Sequence, residues 1–145
     1  MLSVRLVAVG SIKESFFKDA IAEYEKRLSK YCKFEIIEVS ESDSKNEAAA
    51  IRQKLKGHVM LCDIGGRHVS SIELSDSFFN LGVMGSSTVT IIIGGSHGVG
   101  SFLDDVVSEK VSFGRITLPH QLFRVVLIEQ IYRAFTIIRG EKYHK

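Results

Sequence analysis

Three stretches of this chain bring together side chains and turns that could do chemistry: GGSHG at residues 94–98, TLPHQLFR at 117–124 and YHK at 143–145. The first satisfies G-x-S-x-G, the pattern that holds a nucleophilic serine on a tight strand-to-helix turn. Asp104 or Asp105 and then His120 follow Ser96 in the chain order that such a triad uses. Their placement argues against hydrolysis. Both aspartates fall in the helix expected straight after the loop, not at the end of a later strand, and the chain is short for the larger sheet of such hydrolases. The same glycines have a second reading, because they let a ligand approach the backbone next to free N–H groups. A plain tight turn fits the spacing equally well. No third glycine follows Gly98-Val99-Gly100 to complete a dinucleotide fingerprint, and no Gly-Lys-Ser/Thr completes a P-loop. The first strand ends in VGSIK without a glycine cluster, so any cofactor binds in the C-terminal half.

The second stretch holds Pro119, the only proline of the chain. Proline at a helix start loses no intrahelical hydrogen bond and keeps the preceding residue, Leu118, extended. It therefore makes a fixed corner, with His120 and Arg124 one turn apart on one helix face. A rigid corner, a glycine loop on the strand before it and a basic pair suit a pocket for a small ligand and an anionic partner. The charge distribution points the same way. Arg115, Arg124, Arg133, Arg139, Lys142 and Lys145 face only Glu129 and Glu141 in residues 115–145, within a net charge of just +2 for the whole chain. Cys32 and Cys62 have no metal-ligand spacing, so no metal site is expected, and they read as reduced thiols of a cytoplasmic protein. The start, MLSVRLVAVGS, shows no secretory signal pattern, and no apolar run approaches the ~20 residues of a membrane span.

These residues must be positioned by alternating strands and helices. VRLVAV at 4–9, FEIIEV at 34–39, HVMLCDI at 58–64 and TVTIII at 88–93 read as strands, with a further extended piece within 111–118. Phe16, Phe17, Ala20, Ile21, Tyr24 and Leu28 recur at helical spacing in residues 14–28. Ser44 with Glu47, and Ser70 with Glu73, form capping-box patterns for two more helices, the first stopped by Gly57 and the second reaching about Leu81. Gly65-Gly66 reads as a turn, Ser101 as the cap of a short helix, and residues 119–139 as the last helix. The alternation predicts one α/β domain over residues 1–145, a mostly parallel sheet with helices on both faces. The apolar arc of the last helix spans about half its circumference, wider than the ~100° of a surface helix. A symmetric partner helix would cover the excess, and deep burial within the monomer is the alternative.

TLPHQLFRVVLIEQIYRAFTIIRGEKYHK closely resembles the C-terminal signature of the RlmH family, the large-subunit ribosomal RNA pseudouridine N3-methyltransferases of the SPOUT class. IIIGGSHG is similar to that family's glycine loop, and VRLVAVGS and FEIIEV to its first two strands, so the resemblance runs over essentially the full length. It implies a C-terminal trefoil knot, a rare exception to ordinary chain topology, and a homodimer. It implies S-adenosyl-L-methionine held in the knot by Cys62, Gly95 and the segment Arg115, Ile116, Thr117, Leu118, Pro119 and His120. The implied substrate is pseudouridine 1915 of 23S rRNA in the assembled ribosome, with Tyr143, His144 and Lys145 in the substrate-binding tail. Arg124, His144 and Lys145 are then the catalytic candidates, favouring the deprotonated acceptor electrostatically. Two residues depart from the family pattern: Cys62 stands where leucine is usual and Lys145 where some members have arginine. Lysine keeps the charge but loses the planar fork. A non-catalytic ribosome-associated RNA-binding factor of the same fold is the rival expectation.

Overall fold

The computed structural model describes residues 1–145, in the order β1 (Ser3–Val9), α1 (Ser15–Leu28), β2 (Lys33–Val39), α2 (Ser44–Arg52), β3 (His58–His68), α3 (Ser71–Val83), β4 (Thr88–Ile93), β5 (Glu109–Ser112) and α4 (His120–Ile138). The five strands form one sheet in the order β2-β1-β4-β3-β5, and every pairing is parallel. All residues of β4 are buried, as its continuous β-branched run requires of a strand covered on both faces.

The period-two alternation of the strands divides the core. Val4, Leu6, Ala8, Met60, Val89, Ile91 and Ile93 point to the face covered by α1, α3 and α4. Val7, Val9, Val59, Leu61 and Ile92 point to the other, covered by α2 and by Val99 and Leu103 of the segment after β4. Leu127, Ile128, Ile131, Ala134 and Phe135 of α4 are all buried in the first cluster, and Phe123, Val125 and Ile138 pack at its margin. The chain itself thus absorbs most of the wide apolar arc, so that arc does not by itself require a partner helix.

Several local expectations shift. The cap of α2 is Asp43, which accepts from the Asn46 amide at 2.8 Å. Ser44 is the first helical residue, which frees Glu47 from the expected capping box, and the helix ends before Gly57. The Ser70–Glu73 capping box is complete, with both reciprocal bonds present. Gly65 and Gly66 are not a turn between elements but a bulge inside β3, where Cys62 and Arg67 both register with Val111 of β5. A Cβ on Gly66 would lie 2.6 Å from the Lys110 carbonyl carbon and 2.7 Å from the Val111 nitrogen, so only glycine lets the two strands come this close. The short helix expected after Ser101 is a series of turns, with three-residue bonds such as Asp104 N–H to the Ser101 carbonyl at 3.2 Å. β5 closes at Ser112, leaving residues 113–119 as a loop along the carboxyl ends of the strands, where open α/β sheets bind their ligands.

Candidate active site

The carboxyl ends of β3, β4 and β5 converge on a cavity of about 560 Å³, within the range of small-molecule sites. Leu61, Cys62 and Asp63 form one wall, Gly94 to Gly95 and Gly98 to Gly100 the second, and Val111 to Gly114 with Ile116 to Leu118 the third. His120, Phe123 and Val126 of α4 close the base. The geometry follows from local sequence: β4 stops where the β-branched run meets Gly94, and Gly98 and Gly100 take left-handed φ values of 67° and 54° that turn the chain back. Pro119, with φ −54° and ψ 142°, is the N-cap of α4 and not its first helical residue. Its carbonyl accepts from the Phe123 amide at 2.9 Å. The proline thus sets the corner at which the loop enters the helix.

Of the expected cofactor residues, Cys62, Gly95, Ile116, Thr117, Leu118 and His120 line this cavity, whereas Arg115 and Pro119 do not and are exposed. Burial pushes the Cys62 thiol up to about 12, so it presents a neutral, apolar sulfur to the cavity. Asp63, Phe113 and Phe123 line the cavity as well. The aromatic pair is in contact, with ring centroids 5.8 Å apart. Nothing in the spacing of Phe113 distinguished it from an ordinary core residue.

A second, smaller cavity of about 180 Å³ adjoins the first and shares Gly95, Ser96 and His120 with it. Its lining is almost wholly polar, including Glu41, Glu47, His97, Gln121 and Arg124. Arg124 is 4% exposed. Its guanidinium donates to Glu38 and to the Gly10 carbonyl, while Nε has no partner. His120 and Arg124 do lie on one helix face, but His120 is exposed at the junction of the cavities and Arg124 is sunk beneath it. Glu47, read from the sequence only as part of a capping pattern, lines this cavity and is 3% exposed.

The tail residues line neither cavity. The Tyr143 hydroxyl donates to Glu129 at 3.2 Å, and its ring meets Tyr132 edge-on with centroids 4.8 Å apart. Burial, then the Glu129 carboxylate, push that phenol up to about 12. His144 Nδ1 lies 3.2 Å from Arg133, and Lys145 is exposed. The hydrolase reading has no support in the geometry. Asp105 is held by two bonds from Arg52 at 3.0 and 2.8 Å, and Asp104 pairs with Lys110 at 3.0 Å, so neither orients His120.

A parallel sheet with a glycine-walled cavity at its carboxyl edge places that cavity where open α/β sheets hold their ligands. The profile of the family described as "Predicted SPOUT methyltransferase" matches residues 2–144, and this chain belongs to that family. Its relatives include proteins named "Ribosomal RNA large subunit methyltransferase H". The one from Latilactobacillus sakei is 42% identical over 159 aligned positions, covering 99% of this chain and 100% of the relative. Those from Clostridium botulinum (strain Loch Maree) and Clostridium beijerinckii are 43% and 40% identical with the same coverage. The resemblance read from the TLPH and glycine-loop segments is thereby borne out. Membership of a methyltransferase family implies a methyl donor. No helix is long and apolar enough to cross a membrane.

Proposed function

We propose that this chain, as a cytoplasmic homodimer, transfers a methyl group from S-adenosyl-L-methionine to N3 of pseudouridine 1915 of 23S rRNA in the assembled ribosome. The observation that carries this reading is the larger cavity. Segments distant in sequence, namely Cys62, Gly95 and Ile116 to Leu118, meet there on three walls of one space of suitable size. Cys62, Ile64, Ile93 and Phe113 offer apolar surface to an adenine, and the glycine backbone offers N–H and C=O groups to a ribose or an amino acid. The residues present fit the donor. When bound, it supplies an electrophilic methyl group on a sulfonium. A C-terminal trefoil knot accompanies this reading of the family.

The protein's own contribution is placement, for which effective molarity gives up to about 7–11 kcal/mol, together with electrostatic support for an acceptor that must lose a proton. Arg124 lines the smaller cavity, and its positive charge favours an anionic acceptor there. Tyr143, His144 and Lys145 bind substrate and complete catalysis from the partner protomer, because in their own protomer they lie along α4 away from both cavities. The modest net charge of +2 suits recognition of a formed ribosomal surface over indiscriminate RNA binding.

Mass mapping of 23S rRNA from ribosomes incubated with protein and S-adenosylmethionine is the decisive experiment; one added methyl group on pseudouridine 1915 is expected. Removal of residues 143–145 should abolish that transfer while leaving S-adenosylhomocysteine affinity intact by calorimetry. A full-length protein that fails to bind S-adenosylhomocysteine would leave only the non-catalytic RNA-binding factor.

A further inference from the structure

Asp63 is the only acidic residue that lines the larger cavity, and no lysine or arginine lines it. A carboxylate in a space otherwise walled by glycine backbone, a neutral thiol and apolar side chains calls for a reason. The backbone is shaped to put it there. Cys62 and Arg67 both register with Val111, so residues 63–66 bulge out of the ladder between β3 and β5. Bulges re-aim side chains and collect beside active sites. Across this one, the Gly65 amide donates to Asp63 Oδ1 at 2.9 Å and fixes the carboxylate by one oxygen. That is its one hydrogen bond, and it takes part in no ion pair. Arg67 of the same strand bonds Glu109 instead, at 2.9 Å, and Lys110 of β5 bonds Asp104 at 3.0 Å. The half-buried carboxylate therefore faces the donor cavity without a counter-charge from its own chain.

A methyl donor and its demethylated product differ by one charge. S-adenosylmethionine carries a sulfonium and an ammonium against a single carboxylate, which leaves it net positive. S-adenosylhomocysteine has a neutral sulfide in place of the sulfonium and no net charge. Adenine, ribose and the amino-acid end are common to both. We propose that Asp63 is the residue that tells the two apart. Its carboxylate supplies the negative charge that balances the sulfonium, so it raises affinity for the loaded donor. Once the methyl group has left, Asp63 is again without a counter-charge, which favours release of the product. This rests on the methyltransferase reading and adds to it the residue that selects which form of the cofactor is held. A ribose is the other group that a carboxylate at a strand end can hold. The lining favours the charge. Ser96, Thr117 and the glycine backbone already offer neutral hydrogen-bonding groups to hydroxyls, whereas nothing else in it offers a carboxylate.

Asp63→Asn tests this, since the amide keeps the volume and an oxygen for the Gly65 N–H but removes the charge. In calorimetry, affinity for S-adenosylmethionine should fall about tenfold, as for one charged contact at a half-buried site, while affinity for S-adenosylhomocysteine stays within about twofold. The thermal midpoint should not move. A second readout needs no substitution. In the native protein, raising KCl from about 0.05 M to about 0.5 M should weaken S-adenosylmethionine binding more than S-adenosylhomocysteine binding, because the two ligands differ by the attraction that salt screens. Parallel loss of both ligands in Asp63→Asn overturns the assignment, since the carboxylate then holds a group they share, such as the ribose or the ammonium. Unchanged affinity for both, or the same salt dependence for both in the native protein, overturns it as well. A native protein that binds neither ligand removes the methyltransferase reading and this assignment with it. One that binds both, and loses both equally on substitution, leaves that reading intact and sinks the assignment alone.

Discussion

The two cavities share Gly95, Ser96 and His120, yet they are built by opposite means. The larger is walled by backbone and apolar side chains, with a neutral thiol and only one carboxylate, Asp63, at its margin. The smaller is walled by charge, and its two deepest groups, Glu47 and Arg124, are each held by part of their hydrogen-bonding capacity and free in the rest. A cavity of the first kind binds by shape and area, and away from its one charge tolerates changes of side chain that preserve volume. One of the second kind acts through fixed atoms, and is sensitive to single substitutions that leave volume unchanged.

The sharpest way to break this contrast is at the shared wall. Gly95→Ala forces a methyl group into the Glu47 carboxylate. Overpacking of this kind costs about 1–3 kcal/mol. Both S-adenosylhomocysteine affinity and methyl transfer should fall, the first by calorimetry and the second in single-turnover assays, because one residue serves both spaces.

The next effect separates the buried and the exposed partner of one ion pair. The Arg124 side chain is 5% exposed and that of Glu38 42%. Glu38→Ala leaves a buried guanidinium without its counter-charge and should cost about 1–2 kcal/mol in urea unfolding, below the ~3–5 of a fully buried pair because solvent screens Glu38. Arg124→Met leaves Glu38 free to meet water and should cost less. Equal losses would mean that the guanidinium is not the desolvated member. Away from both cavities, Gly66→Ala should destabilise the protein by a further ~1–3 kcal/mol, without a selective effect on transfer, through its clash with the β5 backbone.

The smallest effect concerns the thiols. Burial pushes Cys32 and Cys62 up to about 12, against about 8.5 for a free cysteine. At pH 8 the folded protein holds both protons more tightly than the unfolded chain does. Their contribution to stability is therefore fully present below about pH 8.5 and is lost as pH rises toward 12. Iodoacetamide at pH 8 should label native protein far more slowly than protein in urea, with labelling read by mass spectrometry.

Much of the fold was legible because the signals are local. The β-branched run of β4 reads as a strand by composition alone, and the Ser70–Glu73 box needs only four consecutive residues to satisfy two helix-end N–H groups. The failures share a cause in distant partners. Gly65-Gly66 looked like a turn because glycine pairs usually are, but β5, more than forty residues away, makes them a bulge. The residues after Ser101 looked like a short helix, and they are a chain of turns that buries Leu103 under the sheet instead. At the site, the corner at Pro119 and the glycine loop were visible as backbone devices. The burial of Glu47 beside the glycine loop was not, because burial is a property of the surroundings.

The amino-acid sequence alone determined the alternation of elements, the parallel sheet and the family, since periodicity, caps and a long motif are written in neighbouring residues. Only the tertiary structure decided that Cys62, Gly95 and the 116–118 loop enclose one space, that Arg124 is buried against Glu38, and that the tail lies away from both cavities. Those outcomes depend on which atoms meet across the carboxyl edge of the sheet, and on which of them are left without a partner once they have met.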